Sequence, residues 1–453
     1  MKVIPRDSHH VEHPFQKKML EKLWEPITIA GVTSKNKIAF APVNSYNPKF
    51  SYPDMPETAI FIHEAIAKGG TGIIVVGEAD VTLNSPSTLE GSRGRYTKGI
   101  WSDDAIPDWT KLIDACHKWG AKVFPQLSSH APWITGVTRV QDKIVSPPWK
   151  ETGMTPEVIE EEKNNYIAAA LRSQKAGADG VQCHGTRESL VAILVSEKRN
   201  PGVPGYSEGL KERVRFPTEC IREIKAACGK DFAVIQRLSG AEYIPGGYDV
   251  EYAKLVAREY VDAGVDAIDV AQAGFTTQVP QMQMVAPSGS YAYLARAVKN
   301  YLTSLGPPYS EVAIMSTCRI QNPWLAASML RGGDCDVVSL CRQLLVDPDW
   351  ANKIREGRID DIIPCIGCVW CMHGAQRDCT LNPLFYKSPE LVETLRMTKA
   401  GHVKRVLVAG GGAAGMEASR VLALRGHKVM LYEKEEELGR RLHVQSRAPF
   451  RTD

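Results

Sequence analysis

The chain has 453 residues, of which 43% are hydrophobic and 24% are charged, and its formal net charge is +3 at pH 7. Such a length allows two or three domains with large cores, in an ordinary globular composition. The small net charge excludes a bulk attraction to nucleic acid or to anionic membranes, and no apolar run reaches the ~20 residues that span a bilayer. The remaining partners are small molecules and further copies of the chain.

Cysteine usage and the N-terminal segment bear on the compartment. Of eleven cysteines, four are clustered near the C-terminal end and the others are scattered. An odd, scattered set is typical of reduced thiols in the cytosol rather than of a secreted disulfide framework. The segment Met1–Lys18 holds acidic residues and histidines before any apolar run, so it reads as neither a signal peptide nor a membrane anchor. The sequence therefore predicts a cytoplasmic protein.

Short β-branched runs alternate with longer amphipathic stretches over residues 1–360. Helices are predicted between the runs, for example over Pro156–Ala176 and Glu208–Cys228. A doubly wound sheet fits this alternation, but eight regular units favour an α/β fold of the (β/α)8 barrel type, with its chemistry where the strands end. The predicted strands are Lys37–Val43, Gly72–Val76, Lys122–Leu127, Gly180–Cys183, Phe232–Leu238, Asp266–Ala271, Val312–Met315 and Asp336–Leu340.

Four cysteines in the segment 361–403 carry the most specific signal. Cys365, Cys368 and Cys371 stand at every third position, and Cys379 follows after a seven-residue gap. Three thiolates with this spacing can bind one side of a cubane cluster, and a fourth from the next loop completes the set. The pattern predicts a [4Fe–4S] cluster, and zinc or free structural thiols are the alternatives.

A second pattern begins at residue 404. A strand-like run ends in glycines at Gly410, Gly412 and Gly415, a helix-like stretch follows, and the next strand leads to Glu433. In a βαβ unit the glycines let the backbone approach a pyrophosphate at a helix N-terminus, and the acid accepts a ribose hydroxyl. Residues 404–453 supply only the opening of an FAD- or NAD(P)-binding domain, so we expect a truncated domain and no tight FAD retention by this chain.

The chain resembles the iron–sulfur flavoenzymes related to old yellow enzyme, typified by 2,4-dienoyl-CoA reductase and trimethylamine dehydrogenase. The resemblance rests on four blocks, Lys37–Pro42, Gly180–Glu188, Arg237–Ser239 and Asp347–Cys371. It implies an FMN-dependent NADH:flavin oxidoreductase, with FMN in the barrel and a [4Fe–4S] cluster beside it. FAD- and NAD(P)-handling domains would follow, with NAD(P)H as the electron donor.

The resemblance also implies which residues hold FMN. Gln126 would hydrogen-bond the pyrimidine edge of the flavin, and Arg237 would lie near N1 and stabilise the reduced form. Arg319 and Arg342 follow the seventh and eighth strands, the usual phosphate-binding corner of such barrels. The implied cofactor set is Ala41, Pro42, Val43, Gly77, Gln126, Arg237, Arg319, Cys341 and Arg342.

Several positions depart from the family pattern. Cys318 and Cys341 stand where relatives place glycine beside the phosphate, which weakens the expectation of FMN binding. Ser189 replaces the tyrosine that reductases of this family use as proton donor. His184 and Arg187 follow the fourth strand, where His184 would polarise the substrate and Arg187 would bind a carboxylate or enolate oxygen.

Three functions stay open at this point. The first is a reductase of an activated C=C bond, and the second is an amine dehydrogenase or N-demethylase. The third is a truncated paralogue with little or no activity. For the fourth-strand residues the structural alternative is a histidine packed under the flavin and an Arg187 paired with Glu188 or Glu242.

Overall fold

The computed structural model describes residues 18–43, 55, 57–82, 99–129, 139–140, 143–144, 154–187, 189–272, 286–317, 319–372, 379–385, 387, 389–395, 397–440 and 442. By its internal packing the chain divides into two compact units, Met1–Tyr386 and Lys387–Asp453. No helix among these residues has both the length and the apolar character needed to cross a membrane.

The first unit contains a closed barrel of eight strands, all paired in parallel with their neighbours. Closure is made by the eighth strand against the first, with Val338 opposite Ile38. The predicted (β/α)8 barrel is confirmed. In chain order the barrel strands are Ile38–Phe40, Ile73–Asp80, Lys122–Ser128, Gly180–Cys183, Ala233–Ser239, Ala267–Ala271, Ala313–Thr317 and Val337–Leu340.

Along each barrel strand the side chains point in turn into the barrel interior and outward to the surrounding helices, because successive side chains of a strand lie on opposite faces. Ala233 and Ile235 of the fifth strand pack in the interior, whereas Val234 packs in the larger core beneath the helices. A β-hairpin, Ile27–Ile29 with Val32–Ser34, covers the N-terminal end of this interior through Ile29. The interior is therefore apolar at the end opposite to the expected site.

Helices surround the barrel, and two of the longer ones, Pro156–Lys175 and Val250–Asp262, begin at the side-chain caps Thr155 and Asp249. The predicted helix over Glu208–Cys228 is two helices that meet at Val214, whose backbone leaves the regular helical path. The helices of the first unit are Glu57–Lys68, Ile106–His117, Pro156–Lys175, Leu190–Val195, Leu210–Arg213, Arg215–Cys228, Val250–Asp262, Ala292–Ser304, Pro323–Arg331, Arg342–Val346 and Trp350–Arg355. Single 3-10 turns are Glu21–Trp24, Asp103–Ala105, Tyr309–Glu311, Ile359–Asp361 and Trp370–Met372.

The second, third, fifth and seventh barrel strands run further than their sequence patterns predict. The second strand continues to Asp80, with a register shift between Val76 and Ala79, so Gly77 lies inside it rather than at its end. Gln126 and Arg237 likewise stand two residues before the ends of their strands. A short hairpin, Arg139–Val140 with Lys143–Ile144, lies in the connection after the third strand.

The second unit contains one βαβ arrangement. Its strands Arg405–Ala409 and Lys428–Tyr432 pair in parallel, and the helix Ala413–Leu424 connects them. A further helix, Pro389–Leu395, precedes the first of these strands.

Candidate active site

A chain of buried polar side chains crosses the barrel interior above the apolar layer. Gln126 Nε2 donates to Gln182 Oε1 at 2.6 Å, and Gln182 Nε2 donates to Asp269 Oδ2 at 3.1 Å. Arg237 Nη1 donates to the same Asp269 oxygen at 2.6 Å, and Thr317 Oγ1 donates to Asp269 Oδ1 at 2.8 Å. We call these five residues the polar network. They come from the third to the seventh strands, so the network joins five neighbouring strands.

The inward position of the network follows from the alternation along each strand. Phe124 and Ile235 face the interior, and Gln126 and Arg237 stand two residues further along the same strands. A two-residue step keeps a side chain on the same face of a strand. Asp269 likewise follows the inward Ala267. The interior therefore changes from apolar to polar one step closer to the C-terminal ends of the strands.

Pro42, Gly77 and Gln126 come together on the first three strands. A Cβ added at Gly77 would lie 2.4 Å from Pro42 Cβ and 2.8 Å from Gln126 Oε1, so the position has room for glycine alone. Ala41 is buried and its amide donates to Leu340 O at 2.8 Å, which ties the first strand's end to the eighth strand. Val43 is partly buried against the same core. This part of the predicted cofactor set is thus brought together.

His184 follows the fourth strand directly, and its side chain is buried. Its Nε2 lies 3.5 Å from Glu78 Oε1, and its amide donates to Leu127 O at 2.9 Å. A Cβ added at Gly185 would lie 2.1 Å from Arg237 O, so the loop after the fourth strand passes directly against the fifth. Glu78, which the sequence reading had not singled out, is a carboxylate beside the predicted catalytic histidine.

Arg187 adopts a left-handed backbone conformation, with φ 62°. Arg199 Nη1 donates to Arg187 O at 2.6 Å, and Arg199 Nε donates to Glu242 Oε1 at 2.8 Å. Glu242, one of the two acids considered as a partner of Arg187, is thus held by Arg199. The other, Glu188, lies outside the described residues.

Ser189 stands at the predicted tyrosine position and caps a helix. Its Oγ accepts the Ala192 amide at 3.3 Å at the start of Leu190–Val195, and the side chain is buried. The hydroxyl is therefore used to begin a helix, as serine commonly is.

Three arginines influence the Cys341 thiol electrostatically. Burial raises the pKa of Cys341 to about 11, and the positive charges of Arg342, Arg187 and Arg237 oppose that rise. Arg342 follows the eighth strand, and Arg187 and Arg237 follow or belong to the fourth and fifth strands, which pair with each other. Of these three arginines Arg237 is paired with Asp269, so Arg187 and Arg342 are the charges around Cys341 that suit an anionic ligand.

The predicted phosphate corner contains a buried donor that has no acceptor among the described residues. Arg342 Nη1 is buried and makes no hydrogen bond to any described residue, so an oxyanion there would supply its acceptor. Arg319 is nine-tenths buried and its Nη1 donates to Ala286 O. Cys318 lies outside the described residues. The orphaned donor, together with the glycine floor at Gly77, fits the phosphate and the flat ring of FMN.

The cysteine segment is tied to the helix that follows the eighth strand. Gln343 Oε1 accepts the Cys365 amide at 2.9 Å, and Gln343 Nε2 donates to Ile363 O at 3.0 Å. Asn382 Nδ2 donates to Leu345 O at 2.7 Å and holds the segment after Cys379. Both ends of the segment are thus fixed to Arg342–Val346, beside the phosphate corner.

The predicted ligand thiols influence one another electrostatically. Burial raises the pKa of Cys371 to about 12, and Cys341, Cys365 and Cys379 contribute to the rise. Burial also raises the pKa of Cys365, to which Cys379 and Cys368 add.

Over the residues with described positions, no three His, Cys, Asp or Glu side chains are grouped to hold a metal ion. Each ligand of a four-iron cubane binds a different iron, so its thiols stand farther apart than those around one zinc ion. The [4Fe–4S] cluster stays a prediction, with zinc as the alternative.

In the second unit the glycine turn and the acid are joined. Gly410 has φ 103°, and a Cβ added at Gly415 would lie 1.9 Å from Gly410 O. Glu433 Oε2 accepts the Gly411 amide at 2.6 Å, and this hydrogen bond lowers the pKa of Glu433. Gly412 is the N-cap of Ala413–Leu424. The geometry matches the turn that approaches a pyrophosphate, and nucleotide binding stays a prediction.

Comparison with known proteins defines the class. The model of the NADH:flavin oxidoreductase / NADH oxidase family matches residues 22–361, three quarters of the chain. The chain belongs to this family of FMN-dependent oxidoreductases.

Two curated relatives are similar over nearly the whole chain. A metal reductase of Desulforamulus reducens is 31% identical over 441 residues, which cover 95% of this chain and 63% of that protein. Cinnamate reductase of Clostridium sporogenes is 31% identical over 446 residues, covering 92% and 65%. The chain thus spans 63–65% of the length of these two relatives.

A solved structure is similar in fold. Histamine dehydrogenase from Rhizobium sp. 4-9 superposes with a TM-score of 0.78 and 26% identity, covering 96% of this chain and 63% of that one. A family with reductases and an amine dehydrogenase among its members leaves the substrate class to the residues of this chain.

Proposed function

We propose that this protein is a flavin-dependent reductase of an activated C=C bond that carries a carboxylate, as in a 2-enoate. The observation that supports it is the buried Arg342 Nη1, which has no acceptor among the described residues, together with the charges of Arg342, Arg187 and Arg237 that oppose the rise in the pKa of Cys341. A positive opening favours an anionic substrate and disfavours a cationic amine. The similarity to cinnamate reductase supports the same substrate class.

Each residue then has a defined task. Gly77, Gln126, Arg237 and Arg342 would hold FMN, whose chemistry when bound would be the supply of a hydride to one carbon of the double bond. Arg187 binds the substrate carboxylate, since a guanidinium binds carboxylates as a planar fork and does not release its proton near neutral pH. His184 lies 3.5 Å from Glu78, which stabilises its protonated ring, and we propose that it donates the proton to the other carbon. This assignment replaces the tyrosine donor, because Ser189 is committed to a helix cap.

The electron supply is proposed from the remaining motifs. Cys365, Cys368, Cys371 and Cys379 would hold a [4Fe–4S] cluster next to the phosphate corner, to which Gln343 ties Cys365. The glycine turn at Gly411 would bind the pyrophosphate of FAD or NAD(P)H, with NAD(P)H as the donor of electrons.

A second candidate is an amine dehydrogenase that removes a hydride from a methylated amine. Glu78 favours it, because a carboxylate beside His184 can hold a substrate ammonium group. The similarity to histamine dehydrogenase supports it as well. The charge balance around Cys341 makes it the weaker of the two.

The test starts from anaerobically purified protein with its flavin content measured. Chemically reduced protein is then mixed with cinnamate, with its methyl ester and with a neutral enone, and oxidised protein is mixed with trimethylamine and dimethylglycine. We expect cinnamate to reoxidise the flavin of the reduced protein. We expect the amines to leave the flavin of the oxidised protein unreduced. Bleaching by an amine would establish the second candidate, and protein without flavin would indicate the inactive paralogue.

A substitution tests the task of Arg187. We expect Arg187→Ala to raise the KM for cinnamate about tenfold to a hundredfold, since a charge-assisted hydrogen bond contributes roughly 1.5–3 kcal/mol. The KM for the neutral enone should stay unchanged. Arg222→Ala is the control, because Arg222 is exposed on the helix Arg215–Cys228. An equal rise for both substrates would remove Arg187 from substrate binding.

A further inference from the structure

Asp269 and Gln182 belong to the polar network, and no step of the proposed reaction uses them. We propose that they are positioning residues, which set the charge that Arg237 presents to the flavin and the orientation of the Gln126 amide. This inference rests on the flavin site of the proposed function.

Asp269 fixes the direction of every hydrogen bond in the network. An ionised carboxylate only accepts, so Gln182 must turn its Nε2 toward Asp269 Oδ2, at 3.1 Å. The Gln182 oxygen then faces Gln126 and accepts from its Nε2 at 2.6 Å. Gln126 is left with its own oxygen on the side of Gly77. A ligand lying on Gly77 thus meets a hydrogen-bond acceptor and must offer an N–H group.

Asp269 also balances the charge of Arg237. The carboxylate is fully buried and its Oδ2 lies 2.6 Å from Arg237 Nη1, while Arg237 is only 7% exposed. Within the barrel wall this pair is shielded from water, so the negative charge reduces the positive potential that Arg237 projects. Reduced FMN is more negative than oxidised FMN. Asp269 should therefore lower the affinity for the reduced form relative to the oxidised form.

The two predicted roles can be separated by substitution. Asp269→Asn preserves the shape and each bond, because its amide oxygen can occupy the Oδ2 position and Thr317 Oγ1 can rotate to accept from the new Nδ2. Only the charge is lost. Thr317→Val is the matched control, since it removes one hydrogen bond to Asp269 and leaves the charge in place.

The first measurement is the flavin reduction potential, with FMN stoichiometry determined for each protein. A unit charge about 10 Å away changes an ionic equilibrium roughly tenfold at an effective dielectric constant of about 20. We expect Asp269→Asn to raise the ratio of reduced to oxidised FMN affinity about tenfold, which raises the two-electron potential by about 30 mV. Thr317→Val should leave the potential unchanged. An unchanged potential in an FMN-replete Asp269→Asn protein would overturn the charge role.

The second measurement concerns Gln182 and stands even if Asp269→Asn fails to fold. Gln182→Met has a similar length and removes the link between Asp269 and Gln126, so the Gln126 amide loses its fixed orientation. We expect apoprotein affinity to fall about tenfold for oxidised and for reduced FMN alike, with the potential unchanged. Undiminished affinity would overturn the orienting role. If the unsubstituted chain binds no FMN, the proposed function itself is wrong, whereas normal FMN binding with these null results contradicts only this inference.

Discussion

The floor of the proposed flavin site can be tested at Gly77. In Gly77→Ala the new Cβ would lie 2.4 Å from Pro42 Cβ and 2.8 Å from Gln126 Oε1. Carbon atoms in ordinary contact are ~3.5–4.0 Å apart, so the first of these distances is too short by more than about 1 Å. The proline ring cannot rotate away, and either the end of the first strand or Gln126 must move. Overpacking of this kind typically costs about 1–3 kcal/mol.

The predicted result is a loss of flavin affinity larger than the loss of fold stability. Pro42 and Gln126 belong to the surface on which the flavin would lie, so their displacement should lower FMN affinity about tenfold to a hundredfold, at ~1.4 kcal/mol per factor of ten. The assay is titration of apoprotein with FMN, followed by quenching of flavin fluorescence, with the thermal midpoint measured in parallel.

The control for this substitution is Gly401→Ala, whose added Cβ would have no atom within 4 Å. It should leave both FMN affinity and the thermal midpoint unchanged. If Gly77→Ala binds FMN as tightly as the unsubstituted chain, the ends of the first three strands do not form the flavin surface, and the proposed site must be abandoned.

Three further predictions use other side chains. Burial raises the pKa of Glu162 from 4.5 to about 7, so the protein loses stability as the pH rises from 4.5 through 7. The free energy of unfolding in urea at pH 8 should therefore increase by up to roughly 3 kcal/mol in Glu162→Gln. The control Glu161→Gln, at an exposed position, should show no increase. Burial lowers the pKa of His63 from 6.5 to about 4, so the protein loses stability as the pH falls from 6.5 to 4. The urea midpoint of His63→Phe should depend less on pH in this range than that of the unsubstituted chain, and an equal dependence would contradict the assignment. Cys368→Ser should abolish iron binding measured after anaerobic purification, and Cys228→Ser should not; stoichiometric zinc without iron would refute the cluster.

The number and order of the barrel strands were readable from the sequence because each strand is a short apolar run bounded by turn residues. The ends were less readable. The predicted bounds put Gly77, Gln126 and Arg237 within one residue of a strand end, and the structure places all three further inside longer strands. Polar residues and glycine interrupt an apolar run, but backbone pairing with the neighbouring strand continues past them because it does not depend on side-chain polarity.

The polar network shows what the sequence reading missed and which signal was available. Gln182 and Asp269 lie within the predicted strands, whereas candidate residues were sought past the strand ends. Thr317 follows the predicted seventh strand by two residues and was not singled out. Their spacing was informative, since Asp269 stands two positions after the inward-facing Ala267 and shares its face. The pairing of Glu242 with Arg199 was not readable, because it joins residues 43 apart through loop geometry.

The arrangement of charge along the barrel axis bears on the choice between the two candidate reactions. The barrel interior is apolar toward the N-terminal ends of the strands. Closer to the C-terminal ends lies the polar network, in which Asp269 balances the charge of Arg237. The charges of Arg187, Arg342 and Arg237 oppose the rise in the pKa of Cys341. The acid beside His184 is Glu78. In the proposed site a flavin phosphate would bind at Arg342 and the substrate at Arg187. A substrate carboxylate would complement the charge of Arg187 and an ammonium group would not, which is why we propose reduction of an acidic alkene rather than oxidation of an amine.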